Sequence, residues 1–170
     1  MFFTLNATIQ GLAQDLIMKG LGWFIYFWQV DISRYPKCGE EIIVGTFAYE
    51  DRGSSEERNF YIKTVRDDII VRANSVWSLV DLAKLQIMRI PNEVMDRNRK
   101  RNEDKLDMEY LGRRIRYSGE CNIRKVGEHI VSRLELDSNR HLNNSEYIKI
   151  ALATIADFNP SSVTRLCIEY

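Results

Sequence analysis

A chain of 170 residues can bury roughly 70% of the surface that its unfolded form exposes, and 45% apolar with 28% charged residues is the balance of an ordered globular protein, not a disordered one. Lys plus Arg equals Asp plus Glu, 24 against 24, so no overall field draws the chain to nucleic acid or to an anionic membrane. Three cysteines without a CxxC spacing argue against a disulfide framework and fit a reducing cytoplasm, and His129 and His141 stand too far apart to share a zinc knuckle, so no metal and no cofactor is expected.

In residues 5–18, Leu5, Ile9, Leu12, Ala13 and Leu16 recur three and four apart, the spacing of one helical face, and Gly20 and Gly22 stop the helix. The first ten residues, "MFFTLNATIQ", lack the charged start and cleavage site of a signal peptide. "LGWFIYFWQV" is the most apolar window, about half the ~20 residues of a membrane span, and reads as a central strand. "RYPKCGE" is a turn. "EIIVGTFAYE" and "RNFYIKTVR" are strands around a polar loop "DRGSSEE", and "DIIVRANSVWSLVDL" closes a series of about four antiparallel strands wrapped on the helix.

After "IMRIP" the composition changes to "NEVMDRNRKRNEDKLDMEY", which reads as a charged connector, either a linker or a solvated helix. From Gly127 the expected order is strand ("EHIVSRLEL"), turn ("DSNRHLNN"), helix, turn ("DFNPSS") and strand ("VTRLCIEY"). This looks like the start of a second copy of the first unit. The resulting division is a first unit over 1–91, a connector over 92–113 and an incomplete second unit over 114–170.

Within the second turn, Asp137, Asn139 and His141 occupy every second position just ahead of a helix that starts near Asn144. Asn143, Asn144 or Ser145 can cap that helix, and its first-turn amides and dipole would favour an oxygen that gains negative charge. Its stripe of Tyr147, Ala151 and Ile155 predicts a defined buried face. A carboxylate, a carboxamide and an imidazole there suit hydrolysis of an activated acyl bond. Asp and Asn are equally favoured turn formers, so the spacing alone leaves both readings open. His129 reads as a strand-surface residue, and Cys121 as an inert thiol without a neighbouring base.

Three stretches carry a family resemblance: "KGLGWFIYFWQVDISRYPKCGEEIIVGTF", "VRANSVWSLVDLAKLQIMRIP" and "LDSNRHLNNSEYI". In this order they resemble the acyl-acyl carrier protein thioesterases, tandem hotdog enzymes of plant plastids and many bacteria. The resemblance implies an α+β hotdog fold, an antiparallel sheet around a central helix, in tandem with the second unit incomplete. It implies hydrolysis of fatty acyl thioesters on acyl carrier protein, which releases free fatty acid and ends chain elongation. The family's catalytic Asp, Asn and His fall on Asp137, Asn139 and His141, and its acyl pocket suggests Trp23 and Trp77 as lining residues, although both also suit an ordinary aromatic core. The family has a further acidic residue after the strand that "RLCIEY" resembles, and leads with a strand before the first helix, so the chain looks cut at both ends. Cys167 and Glu169 match strand positions instead. A non-catalytic acyl-binding module, or an inactive fragment, is the alternative. The acidic carrier is the expected partner, attracted by Arg97, Arg99, Lys100, Arg101, Arg113 and Arg114; nucleic acid and a membrane span are not expected, and a homodimer is left open.

Overall fold

The computed structural model describes residues 16, 18–99, 104–116, 125–137, 140–155 and 157–170. It forms two compact units: Met1–Ile115 together with Thr164–Tyr170, and Arg116–Val163.

The first unit is built on β1 (Leu21–Ile32), β2 (Ile42–Arg52), β3 (Ser55–Thr64), β4 (Ile69–Asp81), the short β5 (Gln86–Met88) and β6 (Arg165–Glu169). All pairings are antiparallel, in the order β2-β3-β4-β1-β6, with β5 on β4. Aromatic and β-branched residues crowd β1 and β4, where each strand has neighbours on both sides. In the β1 and β4 register Trp23 faces Leu79 and Ile25 faces Trp77, so these four share one side of the sheet. On that side Leu16 packs with Leu79, Ile90, Val94 and Met95, and Leu21 and Trp23 close over them. Leu16 and Met18 are helical; the rest of the helix expected over 5–18 lies outside the described residues. β2 is the outer strand, with Ile43 and Val44 nearly half exposed.

Two charged stretches are more structured than their composition suggests. The expected loop "DRGSSEE" shrinks to Gly53 and Ser54, because Arg52 already pairs with Ser55 and both strands run on through the charges. Glu56, Glu57 and Arg58 are buried in β3. Burial is tolerated because each has a partner: Arg58 Nε lies 3.1 Å from Glu56 Oε1, and Tyr49 donates to Glu57 at 2.5 Å. Burial first, then the Glu57 carboxylate, pushes the Tyr49 phenol pKa up.

The expected connector over 92–113 is likewise no solvated tether. It opens with α1 (Asn92–Arg99), whose Val94 and Met95 enter the core. Residues 104–115 then cross the other side of the sheet as an extended strap. Fully buried Asn59 and Gln29 hold it: Asn59 Oδ1 accepts from the Leu106 N–H at 3.0 Å and from the Tyr110 hydroxyl, while Gln29 accepts from Leu111 N–H and donates to the Glu109 carbonyl at 2.6 Å. Arg113 completes the seam on Glu57 and Ser55. Side-chain amides facing an extended backbone satisfy its donors and acceptors without a strand ladder.

The second unit holds a 3-10 turn (Arg133–Glu135), α2 (Asn144–Ala153) and a second 3-10 turn (Pro160–Ser162). The strand expected at "EHIVSRLEL" is absent: Ile130 and Leu134 are more than nine-tenths exposed, and the only pairing described there is one bridge between Leu136 and Leu142. An alternating apolar pattern makes a strand only where a partner edge and a surface to cover exist. For the same reason α2 begins at Asn144 as expected but has no buried residue: it ends at Ala153, short of Ile155, and the buried face expected of the Tyr147, Ala151 and Ile155 stripe does not form, Tyr147 and Ile155 being half exposed. The last expected strand does form, as β6, yet it pairs with β1 in the first sheet, so the 114–170 grouping divides at Thr164.

Candidate active site

The turn that holds Asp137 and His141 is closed from both sides by its own backbone. The Asp137 N–H donates to the His141 carbonyl at 2.8 Å, and the His141 N–H returns to the Asp137 carboxylate, Oδ1, at 3.0 Å. Arg140, at φ +63°, takes the left-handed step that reverses the chain, and its N–H bonds to the Asp137 carbonyl. One rung further out the Asn143 N–H reaches the Glu135 carbonyl at 2.9 Å. The Asp137 carboxylate is thereby fixed to the backbone of the residue that bears the imidazole. Asp137 is half-buried and His141 is exposed.

α2 follows directly, and Asn143 is its cap: Oδ1 accepts from the Ser145 N–H and hydroxyl, each at 3.0 Å, and the Asn143 carbonyl takes the Glu146 N–H. This corrects the expectation of free first-turn amides at the helix start. The Ser145 and Glu146 amides are already engaged, and the helix contributes its dipole.

A feature not anticipated from the sequence lies just upstream. His129 Nε2 sits 2.7 Å from Glu135 Oε1, while Glu135 Oε2 accepts the Ser132 N–H at 2.5 Å. That N–H above all, helped by the Ser132 hydroxyl and His129, holds the Glu135 carboxyl below its ordinary pKa, against a smaller opposing effect of burial. The Ser-x-x-Glu spacing of Ser132 and Glu135 was the available signal, since it is that of a capping box.

Of the other sequence candidates, Asn139 and Cys121 lie outside the described residues, as do Lys100, Arg101 and the side chains of Arg97 and Arg99. Trp23 and Trp77 stand in the first unit on the core side of the sheet; Trp77 is 8% exposed and donates its indole N–H to Ser75 Oγ at 2.7 Å. Cys38 and Cys167 are free thiols. Among the described residues no group of His, Cys, Asp or Glu is arranged to hold a metal ion.

Comparison with known proteins gives this arrangement its context. Residues 6–97 match the family described as acyl-ACP thioesterase N-terminal domain. The chain belongs to the acyl-ACP thioesterase family. Its thioesterase relatives include a chloroplastic acyl-[acyl-carrier-protein] hydrolase of Cuphea viscosissima, 25% identical over 168 residues, and a chloroplastic palmitoyl-acyl carrier protein thioesterase of Gossypium hirsutum, 25% identical over 170. Each alignment covers 94% of this chain and 40% of the relative, so the chain spans well under half their length. Among solved structures, an acyl-ACP thioesterase from Bacteroides thetaiotaomicron superposes with a TM-score of 0.82 at 18% identity, over 98% of this chain and 67% of that one. The 12:0-ACP thioesterase from Umbellularia californica gives 0.77 at 20%, over 92% and 62%. The fold of this acyl-ACP thioesterase family member is therefore the α+β hotdog that its sequence implied, with its antiparallel sheet described in full and its expected central helix described only at Leu16 and Met18.

Proposed function

We propose that this chain belongs to an enzyme that hydrolyses fatty acyl thioesters carried on acyl carrier protein, releasing free fatty acid and so ending chain elongation. The observation that carries this reading is the closed turn, in which the Asp137 carboxylate is tied to the His141 backbone immediately before a capped helix, in a chain of the thioesterase family. In the proposed reaction Asp137 accepts a proton from water as the water oxygen bonds to the acyl carbon. The carbon–sulfur bond breaks as the intermediate collapses, the thiol leaves with a proton and the acid is freed. His141 supplies an imidazole, and Asn139 supplies the carboxamide that the family resemblance adds. The positive end of the α2 dipole lowers the cost of charge on the carbonyl oxygen.

Trp23 and Trp77 are proposed to line the acyl chain, because they stand on the apolar side of the first sheet. The acidic carrier protein is the proposed partner, with Arg114 among the basic residues that attract it; Arg113, expected among them, is instead paired with the buried Glu57. A cytoplasmic setting belongs to the same proposal and rests on the free thiols of Cys38 and Cys167. Among the described residues no helix is long and apolar enough to cross a membrane.

The test is thiol release from acyl carrier proteins loaded with medium- and long-chain acyl groups. The wild-type chain should release thiol, and Asp137→Asn should slow release by roughly 10²- to 10⁴-fold, the usual worth of general-base help. An unchanged rate in Asp137→Asn removes the assignment of Asp137. Acyl binding without any release supports a non-catalytic acyl-binding module instead.

A further inference from the structure

The bridge between Leu136 and Leu142 lies between two rungs, one from the Asp137 N–H to the His141 carbonyl and one from the Asn143 N–H to the Glu135 carbonyl. Extended backbone alternates its side chains, so Glu135, Asp137, His141 and Asn143 share one side of the turn and the two leucines share the other. Asp137 and His141 belong to the proposed reaction, and Asn143 caps α2. Glu135 stands beside them on the same side, with no role in that chemistry.

Every polar group of Glu135 is nonetheless engaged close by. Its N–H donates to the Ser132 carbonyl at 3.2 Å, its Oε2 accepts the Ser132 N–H at 2.5 Å, its Oε1 lies 2.7 Å from His129 Nε2, and its carbonyl accepts the Asn143 N–H at 2.9 Å. The side chain is only 18% exposed, and the Ser132 N–H above all keeps its carboxyl in the charged form. The carboxylate thus clasps the 3-10 turn from outside while the same residue's carbonyl forms the outer rung. Asp137 follows from this geometry, because its Oδ1 is held by the His141 N–H and its direction is therefore that of the turn backbone.

We propose that Glu135 is a positioning residue: by clasping Ser132 and His129 it fixes the outer rung to Asn143, and with it the direction in which Asp137 is presented to the acyl carbon. Its effect on turnover rests on the hydrolase reading, and its effect on the backbone does not.

Two measurements on the whole chain test it, amide hydrogen exchange and thiol release from acylated carrier protein. Glu135→Ala should speed exchange of the Asp137 and Asn143 amides by about fivefold or more, the scale of losing a capping box. The amides of Leu82 and Ile90, bonded to the Gly20 and Gly53 carbonyls in the first unit, should stay within about twofold and show that the chain is folded. The same variant should lower kcat roughly tenfold with KM within about twofold, as misplacement of a reacting group does. Glu135→Gln should recover most of both losses, since its amide oxygen can accept the Ser132 N–H and its NH2 can donate to His129 Nε2. Turn amides unmoved in Glu135→Ala or already unprotected in the wild type, loosened amides with kcat unchanged, or Glu135→Gln as damaging as Glu135→Ala would each overturn the proposal. Loosened amides beside a wild-type chain that releases no thiol retain the clasp and remove the hydrolase reading instead.

Discussion

Asn59→Leu is the sharpest test of whether the charged segment after α1 is part of the fold. Asn59 is fully buried, its Nδ2 donates to the Ala73 carbonyl at 3.1 Å, and its Oδ1 receives the Leu106 N–H and the Tyr110 hydroxyl, each at 3.0 Å. The Tyr110 hydroxyl has one proton, and the Leu106 carbonyl, also 3.0 Å away, can take it when Asn59 is gone. The Leu106 amide has no such substitute in the strap. Two bonds are thus lost outright at about 1 kcal/mol net each, one buried donor is stranded at roughly 1–3 kcal/mol, and the added apolar burial of leucine returns part of this. The expected net loss is about 2–3 kcal/mol, a large share of the ~5–15 kcal/mol that holds a domain together. Urea unfolding, read as a lower midpoint, measures it. A loss below about 0.5 kcal/mol, the ordinary range for a surface substitution, would show that the strap contributes nothing and refute the argument.

Other perturbations address separate parts of the fold. Met95→Ala should cost roughly 2–5 kcal/mol in thermal unfolding, because Met95 lies in the core beside Leu79 and Ile90 and not on a solvated helix. Gly45→Val should cost about 1–3 kcal/mol, since any Cβ there would meet the Tyr61 ring lying across the glycine. Urea unfolding of the double variant with Tyr61→Ala should recover part of that loss. The Glu40 carboxyl is held at about 2 by the Arg34 guanidinium first, then by the Lys37 N–H. Because its folded value lies below the ordinary 4.5, its contribution is present above about pH 4.5 and fades as pH falls towards 2. An NMR titration should give that low midpoint, and Arg34→Gln should raise it.

Much of the first sheet was legible because burial there follows alternation. Phe27, Val76 and Leu79 sit on strands whose branched and aromatic residues announce them, and Gly39, at φ +78°, marks the turn in "RYPKCGE". Legibility failed where charge was taken to mean exposure. Glu56, Glu57 and Arg58 are consecutive and buried, and only the three-dimensional positions of Tyr49, Arg113 and one another make that affordable. Gln29 and Asn59 failed in the same way, as polar letters inside strands whose partners lie some 50 to 80 residues away. At the turn, the reversal between Asp137 and His141 and the Asn143 cap are local chemistry and could be read directly, whereas the amphipathic pattern of α2 states a need for cover without saying what meets it.

The outer strand of the sheet has a practical consequence. β2 runs for 11 residues, and among the described residues the edge facing away from β3 has no strand against it. With Ile43 and Val44 partly open beside that row of backbone donors and acceptors, two molecules can zip together through it. Concentrated solutions should therefore form β-rich assemblies, and a lysine in place of Val44 should keep the material monodisperse without disturbing the interior.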